Sequence, residues 1–159
     1  IFGSRLMTRG FMLNNQMTDF SFHPSNKGRP IANRIAPGKR PRSSMSPTLV
    51  FDFDRNLVMS VGSPGGSRII GYVARALIAT LDWKLDLAAA FALPNHVNRN
   101  GPIDLERGTP LAEIKPGLEA LGHEVRMSRN GSGFHGIRVT PLGFDGAADT
   151  RREGVADGD

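Results

Sequence analysis

The sequence contains no cysteine. That excludes disulfides, thiolate nucleophiles and cysteine-ligated zinc in one step. Its four histidines, His23, His96, His123 and His135, show no metal-ligand spacing such as i, i+4, so no metal is expected. No apolar run approaches the roughly 18 residues of a membrane span. Ile1 to Gly10 also lacks the basic-then-apolar order of a signal peptide. Hydrophobic residues make up 39% of the chain, low for a self-sufficient core. Acidic residues are missing between Asp19 and Asp52, while Lys27, Arg29, Arg34, Lys39, Arg40 and Arg42 gather there and carry much of the +5 net charge. Such a stretch can be a nucleic-acid patch. This one is broken by Pro24, Pro30, Pro37, Pro41 and Pro47 and has no aromatic between Phe22 and Met45 for base stacking. A basic loop facing an anionic substrate or an acidic partner subunit fits at least as well, and no nucleic acid is expected.

What is present suits one domain of 159 residues, or a large fragment of one, rich in turns through 19 Gly and 11 Pro. Phe11–Asn15 reads as a short strand entering a turn. Thr48–Phe53 and Leu57–Val61 read as a hairpin around Asp54-Arg55-Asn56. Ile69, Ile70, Val73, Leu77, Ile78 and Leu81 fall on one helical face, with Ser67 as a natural N-cap. Asp86–Leu93 predicts a second helix with an acidic start, closed by Pro94. Asn95–Gly101 reads as irregular. Short elements are expected at Ile103–Leu105 (strand), Pro116–Leu121 (helix), His123–Met127 and Gly136–Thr140 (strands), before a turn-rich Pro141–Ala148. The domain is expected over residues 1–149, with a polar, frayed tail at 150–159. Strand pairs before and after two central helices give an α+β or layered αββα arrangement.

Three motifs carry chemistry. Gly62-Ser63-Pro64-Gly65-Gly66-Ser67-Arg68 lies between a strand and a helix. Paired glycines permit unusual dihedrals, and a helix start offers unpaired N–H groups, which together make an anion site or an oxyanion hole. It is neither a P-loop nor a dinucleotide fingerprint, and an ordinary tight turn explains the spacing equally well. In Asn14-Asn15-Gln16-Met17-Thr18-Asp19, the Gln16 amide and Asp19 carboxylate can grip an ammonium. In Pro37–Thr48, the adjacent hydroxyls Ser43 and Ser44 can bind a carboxylate. Taken alone, each of these last two is more simply a polar turn or a Ser-rich linker.

The phrases LNNQMTDFS, PGKRPRSSMSPT and GSPGGSRII, in this order and spacing, resemble the γ-glutamyltransferase (glutathione hydrolase) family of bacteria. LDWKLDL, LEALGHEV and GAADTRREG also resemble that family's small subunit, so the likeness covers Phe2 to Gly154. The resemblance implies an N-terminal-nucleophile hydrolase fold, a four-layer αββα sandwich, in a proenzyme that cleaves itself into a large and a small subunit. It implies that Gln16 and Asp19 hold the α-amino group of a γ-glutamyl substrate such as glutathione. Ser43 and Ser44 would hold its α-carboxylate, and Gly65 and Gly66 would form the oxyanion hole. It further implies no cofactor, the large subunit as partner, and a periplasmic or secreted location. The family's nucleophilic threonine lies upstream of the phrase that begins at Phe2. Ile1 cannot replace it, and Thr8, Thr18, Thr48 and Thr80 are not N-terminal, so this stretch alone is expected to be inactive and poorly soluble. Thr18 stands where the family often has an acidic residue, Thr150 replaces a usual proline, and LPNHVNRN departs from the common wording. A related acylase on the same fold and a non-catalytic basic binding module are the alternatives.

Overall fold

A computed structural model describes residues 5–129 and 131–158. Ile1, which enters the argument about the nucleophile, lies outside the described residues. The chain, read from its sequence as one domain over 1–149, divides after Ser43 into two compact units.

The first unit is built from turns. Its strands are two short antiparallel pairs: β1 (Met7–Thr8) with β2 (Phe11–Met12), and β3 (Ser25–Asn26) with β4 (Arg29–Pro30). Between them Gln16–Asp19 forms a 3-10 turn, and Phe20, directly after it, is buried. Most large apolar side chains of this unit, among them Leu6, Met7, Phe11, Met17 and Phe22, are exposed, so its order rests on local hydrogen bonds.

The second unit holds the core. The expected hairpin is β5 (Thr48–Phe51) and β6 (Leu57–Gly62), whose turn is closed by Asp52 accepting from the Asn56 backbone (2.8 Å) and side-chain amide (3.0 Å). After α1 (Ile69–Leu81) and α2 (Leu87–Ala92) come β7 (His96–Asn98), β8 (Ile103–Glu106), α3 (Lys115–Ala120) and β9 (Val125–Ser128). The last strands are β10 (His135–Thr140) and β11 (Gly143–Ala148). One sheet has the antiparallel order β11-β10-β6-β5. The other is β7-β8-β9, with β7 antiparallel and β9 parallel to β8.

Alternation along the four-stranded sheet sends Met59, Val61 and Ala147 inward, where they pack with Tyr72, Val73, Ala76, Leu87 and Phe91 of the helices. Phe134, just before β10, stacks on Phe91 at 4.8 Å between ring centroids and meets Tyr72 edge-on at 6.3 Å. The opposite face of the sheet carries Leu49, Ile137, Val139 and Phe144, all exposed. Helices on one face and apolar side chains on the other are what one half of a layered αββα arrangement presents.

Five expectations are corrected. Residues 95–101 are not wholly irregular, because β7 pairs with β8 there. Residues 141–148 are mostly strand, since β11 pairs with β10 from His135↔Ala148 to Thr140↔Gly143. The buried face of α1 is only in part the expected line: Ile69 and Val73 are buried and Leu77 and Leu81 pack against the core, but Ile70 is 57% and Ile78 44% exposed, and Tyr72, Arg75, Ala76, Ala79 and Thr80 complete the buried face. Small side chains let the helix approach closely, and a Cβ on Gly71 would stand 3.2 Å from Val97 Cγ2. Ser67 makes no cap, because a 3-10 turn over Gly66–Arg68 runs straight into α1. Asp86, by contrast, caps α2, its carboxylate accepting from Ala89 N–H at 2.6 Å. The tail is not frayed at its start, where Arg151 and Arg152 are held as described below.

Candidate functional site

The glycine turn joins the end of β6 to α1. Gly65 has φ 150° and ψ 7°, and Gly66 has φ 58°, regions that favour glycine. Tyr72, buried in α1, forms the wall behind the turn. A Cβ on Gly65 would meet its ring at 2.6 Å (Cε2) and 2.9 Å (Cδ2). The Ser63 hydroxyl accepts from Gly133 N–H (3.1 Å) and donates to the Pro64 carbonyl (2.8 Å), and Arg68 N–H donates to the Gly65 carbonyl (3.2 Å). The turn is therefore fixed from behind and below while it opens a helical run, whose first N–H groups have no partner within the helix. Fixed, unpaired N–H donors at a helix start are what an oxyanion requires. Ser67 and Arg68 serve the surroundings. Arg99 Nη1 donates to Ser67 Oγ at 2.6 Å, and Arg68 donates to Asp104 through Nη2 (2.8 Å) and Nε (3.2 Å).

Ser44, half-buried, lies just before β5. Its carbonyl accepts from Ser46 Oγ (3.1 Å), and the Ser46 carbonyl accepts from Thr48 Oγ1 (3.0 Å), two hydroxyl turns that shape the approach to the strand. Because Thr48 pairs with Val61, the chain enters β5 and leaves β6 at the same end of the sheet. The second unit thus brings Ser44 and Gly65–Gly66 to one sheet end.

In the first unit Gln16 and Asp19 share one 3-10 turn, Gln16 half-buried and Asp19 exposed. The turn is held by Gln16 N–H donating to Asn14 Oδ1 (3.0 Å) and Thr18 Oγ1 donating to the Asn15 carbonyl (2.6 Å). Among the described residues the Asp19 carboxylate has no ion-pair partner. Asn33, which sequence reasoning missed, ties this turn to the serine segment. Its Nδ2 donates to the Asp19 carbonyl (2.6 Å), its Oδ1 accepts from Arg42 N–H (3.0 Å), and its carbonyl accepts from Ser21 N–H (2.9 Å). Part of the basic stretch is spent locally: Lys39 Nζ donates to the Ala32 carbonyl (2.5 Å) and Arg34 Nη1 to the Ile31 carbonyl (3.2 Å).

Beneath the glycine turn lies a buried polar cluster that composition gave no hint of. Arg75 donates to the Ala90 carbonyl (2.8 Å) and Asn95 Oδ1 (3.1 Å), with its guanidinium 5.2 Å from the Phe134 ring centre. Asn95 Nδ2 donates to Ser132 Oγ (2.9 Å), which donates to Asp149 Oδ2 (2.5 Å). Arg151 donates to Glu106 through Nε (2.6 Å) and Nη2 (3.0 Å), to Asp149 Oδ1 (3.1 Å), and to the Phe91 (2.8 Å) and Leu93 (2.9 Å) carbonyls at the end of α2. Arg152 donates to the Ser132 (3.2 Å) and Gly131 (3.1 Å) carbonyls. Burial, reinforced by the nearby Arg151 charge, lowers the Arg75 pKa to about 10. Burial pushes the Asp149 carboxyl up, but hydrogen bonds from Ser132 and Arg151 outweigh it and hold the group below the usual carboxylate range. The one sequence signal was periodicity: Tyr72, Arg75, Ala76 and Ala79 share a helical face.

Among the described residues no three His, Asp or Glu side chains are grouped to hold a metal ion, and no helix is long and apolar enough to cross a membrane.

Comparison with known proteins fits this geometry. The family model for gamma-glutamyltranspeptidase matches residues 1–158. A glutathione hydrolase proenzyme of Bacillus subtilis (strain 168) is 34% identical over 164 residues, covering 99% of this chain and 27% of the relative. One from Escherichia coli (strain K12) is 39% identical over 153 residues, covering 89% and 26%. The chain therefore spans about a quarter of the length of these curated relatives. The gamma-glutamyltranspeptidase of Pseudomonas nitroreducens, solved in complex with L-DON, superposes with a TM-score of 0.82 at 32% identity, covering 99% of this chain and 88% of that one. The α+β fold is accordingly that of the N-terminal-nucleophile hydrolases, part of their αββα sandwich. With matching sequence along almost all of its length and a matching fold, the chain belongs to the gamma-glutamyltranspeptidase family.

Proposed function

We propose that the full protein carrying this chain cleaves the γ-glutamyl amide of glutathione or a similar donor and passes the glutamyl group to water, an amino acid or a peptide. The observation that carries this reading is the Gly65–Gly66 turn, fixed by Tyr72 and by the Ser63–Gly133 bond at a helix start. An N-terminal threonine upstream of Ile1 supplies the hydroxyl that attacks the γ-carbonyl, and its own α-amine takes the hydroxyl proton. The carbonyl oxygen gains the negative charge, and the Gly65 and Gly66 N–H groups stabilise it. Collapse of the intermediate breaks the C–N bond, a proton returns to the leaving amine, and an acyl-threonine remains for the acceptor to resolve. Asp19 and Gln16 hold the substrate ammonium, and Ser43 and Ser44 its carboxylate, through charge-assisted bonds. The exposed carboxylate of Asp19 beside Gln16 on one turn supports the first assignment. The partner is the large subunit of the same proenzyme, and the location is periplasmic or secreted.

The test is expression of the full reading frame, with intact mass and assay on γ-glutamyl-p-nitroanilide. Autocleavage to a subunit beginning with threonine, and nitroaniline release that rises with an amino-acid or dipeptide acceptor, is the expected result. Release from a simple acyl anilide but not from the γ-glutamyl one would move the protein to an acylase, and no release from either would end the proposal.

A further inference from the structure

A glutamyl head group imposes a geometric demand. Its ammonium and carboxylate hang from the same carbon, so the groups that grip them must keep a fixed spacing to within a fraction of an ångström. On the reading above, those groups include two stretches of the first unit far apart in sequence, Gln16–Asp19 and the segment ending at Ser43. Within the first unit the side chain of Asn33 joins the two stretches. Its amide donates to the carbonyl of Asp19 at 2.6 Å, and its oxygen accepts from the backbone N–H of Arg42, the residue before Ser43, at 3.0 Å. Its own carbonyl also accepts from Ser21 N–H at 2.9 Å, which anchors Asn33 to the same turn as Asp19.

We propose that Asn33 is a positioning residue for donor recognition, setting the distance between the ammonium-binding Gln16–Asp19 turn and the carboxylate-binding Ser43 of the same unit. The residue type suits the task. A primary amide is the smallest side chain that offers one donor end and one acceptor end, as a carbonyl on one side and an N–H on the other require. Aspartate offers acceptors only, and leucine neither. Asn33 is half-buried, and both bonds end on backbone atoms. It therefore fixes the course of the two stretches and makes no demand on the rotamers of Asp19 or Ser43. It need not touch substrate.

The inference rests on the proposed γ-glutamyl activity, and the experiment separates the two. The full protein and its Asn33→Ala and Asn33→Asp variants are assayed on γ-glutamyl-p-nitroanilide, with the matured fraction measured and the thermal midpoint recorded. We expect KM to rise about tenfold or more in both variants, with kcat per matured enzyme within about threefold of the parent, because ground-state and transition-state recognition are lost together. Loss of fold alone lowers the matured fraction and leaves KM unchanged. Where Asn33→Asp does not mature, Asn33→Ser, whose hydroxyl can serve one of the two partners, takes its place and should fall between Asn33→Ala and the parent. An unchanged KM in the matured variants overturns the inference while leaving the activity standing. An inactive parent instead removes the activity on which it rests.

Discussion

Replacing Gly65 by alanine tests the glycine turn most directly. Two costs can be worked from the structure. The added Cβ would lie 2.6 and 2.9 Å from ring carbons of Tyr72, which is 1% exposed and packed against Phe134, so the ring cannot swing out of the way. Overpacking of this kind costs about 1–3 kcal/mol. The backbone adds a second cost, because φ 150° with ψ 7° is a region that L-residues rarely adopt, worth about 1–3 kcal/mol. The turn relaxes by moving; on the proposed function this shifts its N–H groups away from the developing oxyanion, and the loss of one such donor costs about 10²–10³ in kcat. Gly66→Ala is the internal control. Its φ of 58° carries only the left-handed cost of about 1–2 kcal/mol, and a Cβ there meets nothing within 4 Å. We therefore expect Gly65→Ala in the full protein to lose about two orders of magnitude in kcat with KM little changed, and Gly66→Ala to lose far less. A double-mutant cycle with Tyr72→Leu should show favourable coupling of about 1 kcal/mol or more between positions 65 and 72. Parental kcat and thermal midpoint in Gly65→Ala, or Gly66→Ala as the worse variant, would refute this account of the turn.

Arg151→Ala removes the partner of Glu106 and Asp149, whose side chains are 13% and 0% exposed. We expect a loss of about 3–5 kcal/mol, read by denaturant unfolding of the full protein, with Arg151→Lys recovering only part because it cannot match the forked contacts. Asp149 is held below its ordinary range, so its ionised form stabilises the fold fully above about pH 4. That contribution is lost as the pH falls through the lowered folded value. The thermal midpoint should drop on acidification below about pH 4, and Asp149→Asn should flatten that drop while lowering the midpoint at neutral pH. Asp19→Asn keeps the turn but removes the charge, so KM for the γ-glutamyl anilide should rise about 10- to 100-fold, the loss of one charge-assisted bond. An unchanged KM would remove Asp19 from the head-group site.

The elements legible in the sequence were those whose signal is local. The β5–β6 hairpin was readable from its β-formers and its Asp-Arg-Asn turn, and α2 from Asp86 before an apolar run. What failed depends on neighbours. β11 has Gly143, Asp145 and Gly146, poor strand formers, yet β10 supplies it with a full edge of partners. β7 is three residues long and exists because β8 lies beside it. The stripe on α1 was legible only in part: Ile69, Val73, Leu77 and Leu81 do face the core, but Ile70 and Ile78 are exposed, and the close approach to β7 at Gly71 is something a count of large aliphatics does not register. Of the candidate site, the residue types were legible and their supports were not. Asn33 sits between two motifs with no spacing to mark it, and Arg75 is a cation whose burial only three-dimensional neighbours can justify.

The order in which a ribosome delivers the chain gives the buried polar cluster a further meaning. Glu106 and Ser132 emerge before the charged groups that bond them, Arg151 and Asp149. Until those last residues arrive, the floor beneath the glycine turn holds unanswered polar atoms, and burying them is unfavourable. The sheet end is therefore expected to close only after synthesis has passed residue 151, so a nascent chain keeps the glycine turn unsupported from below until that point.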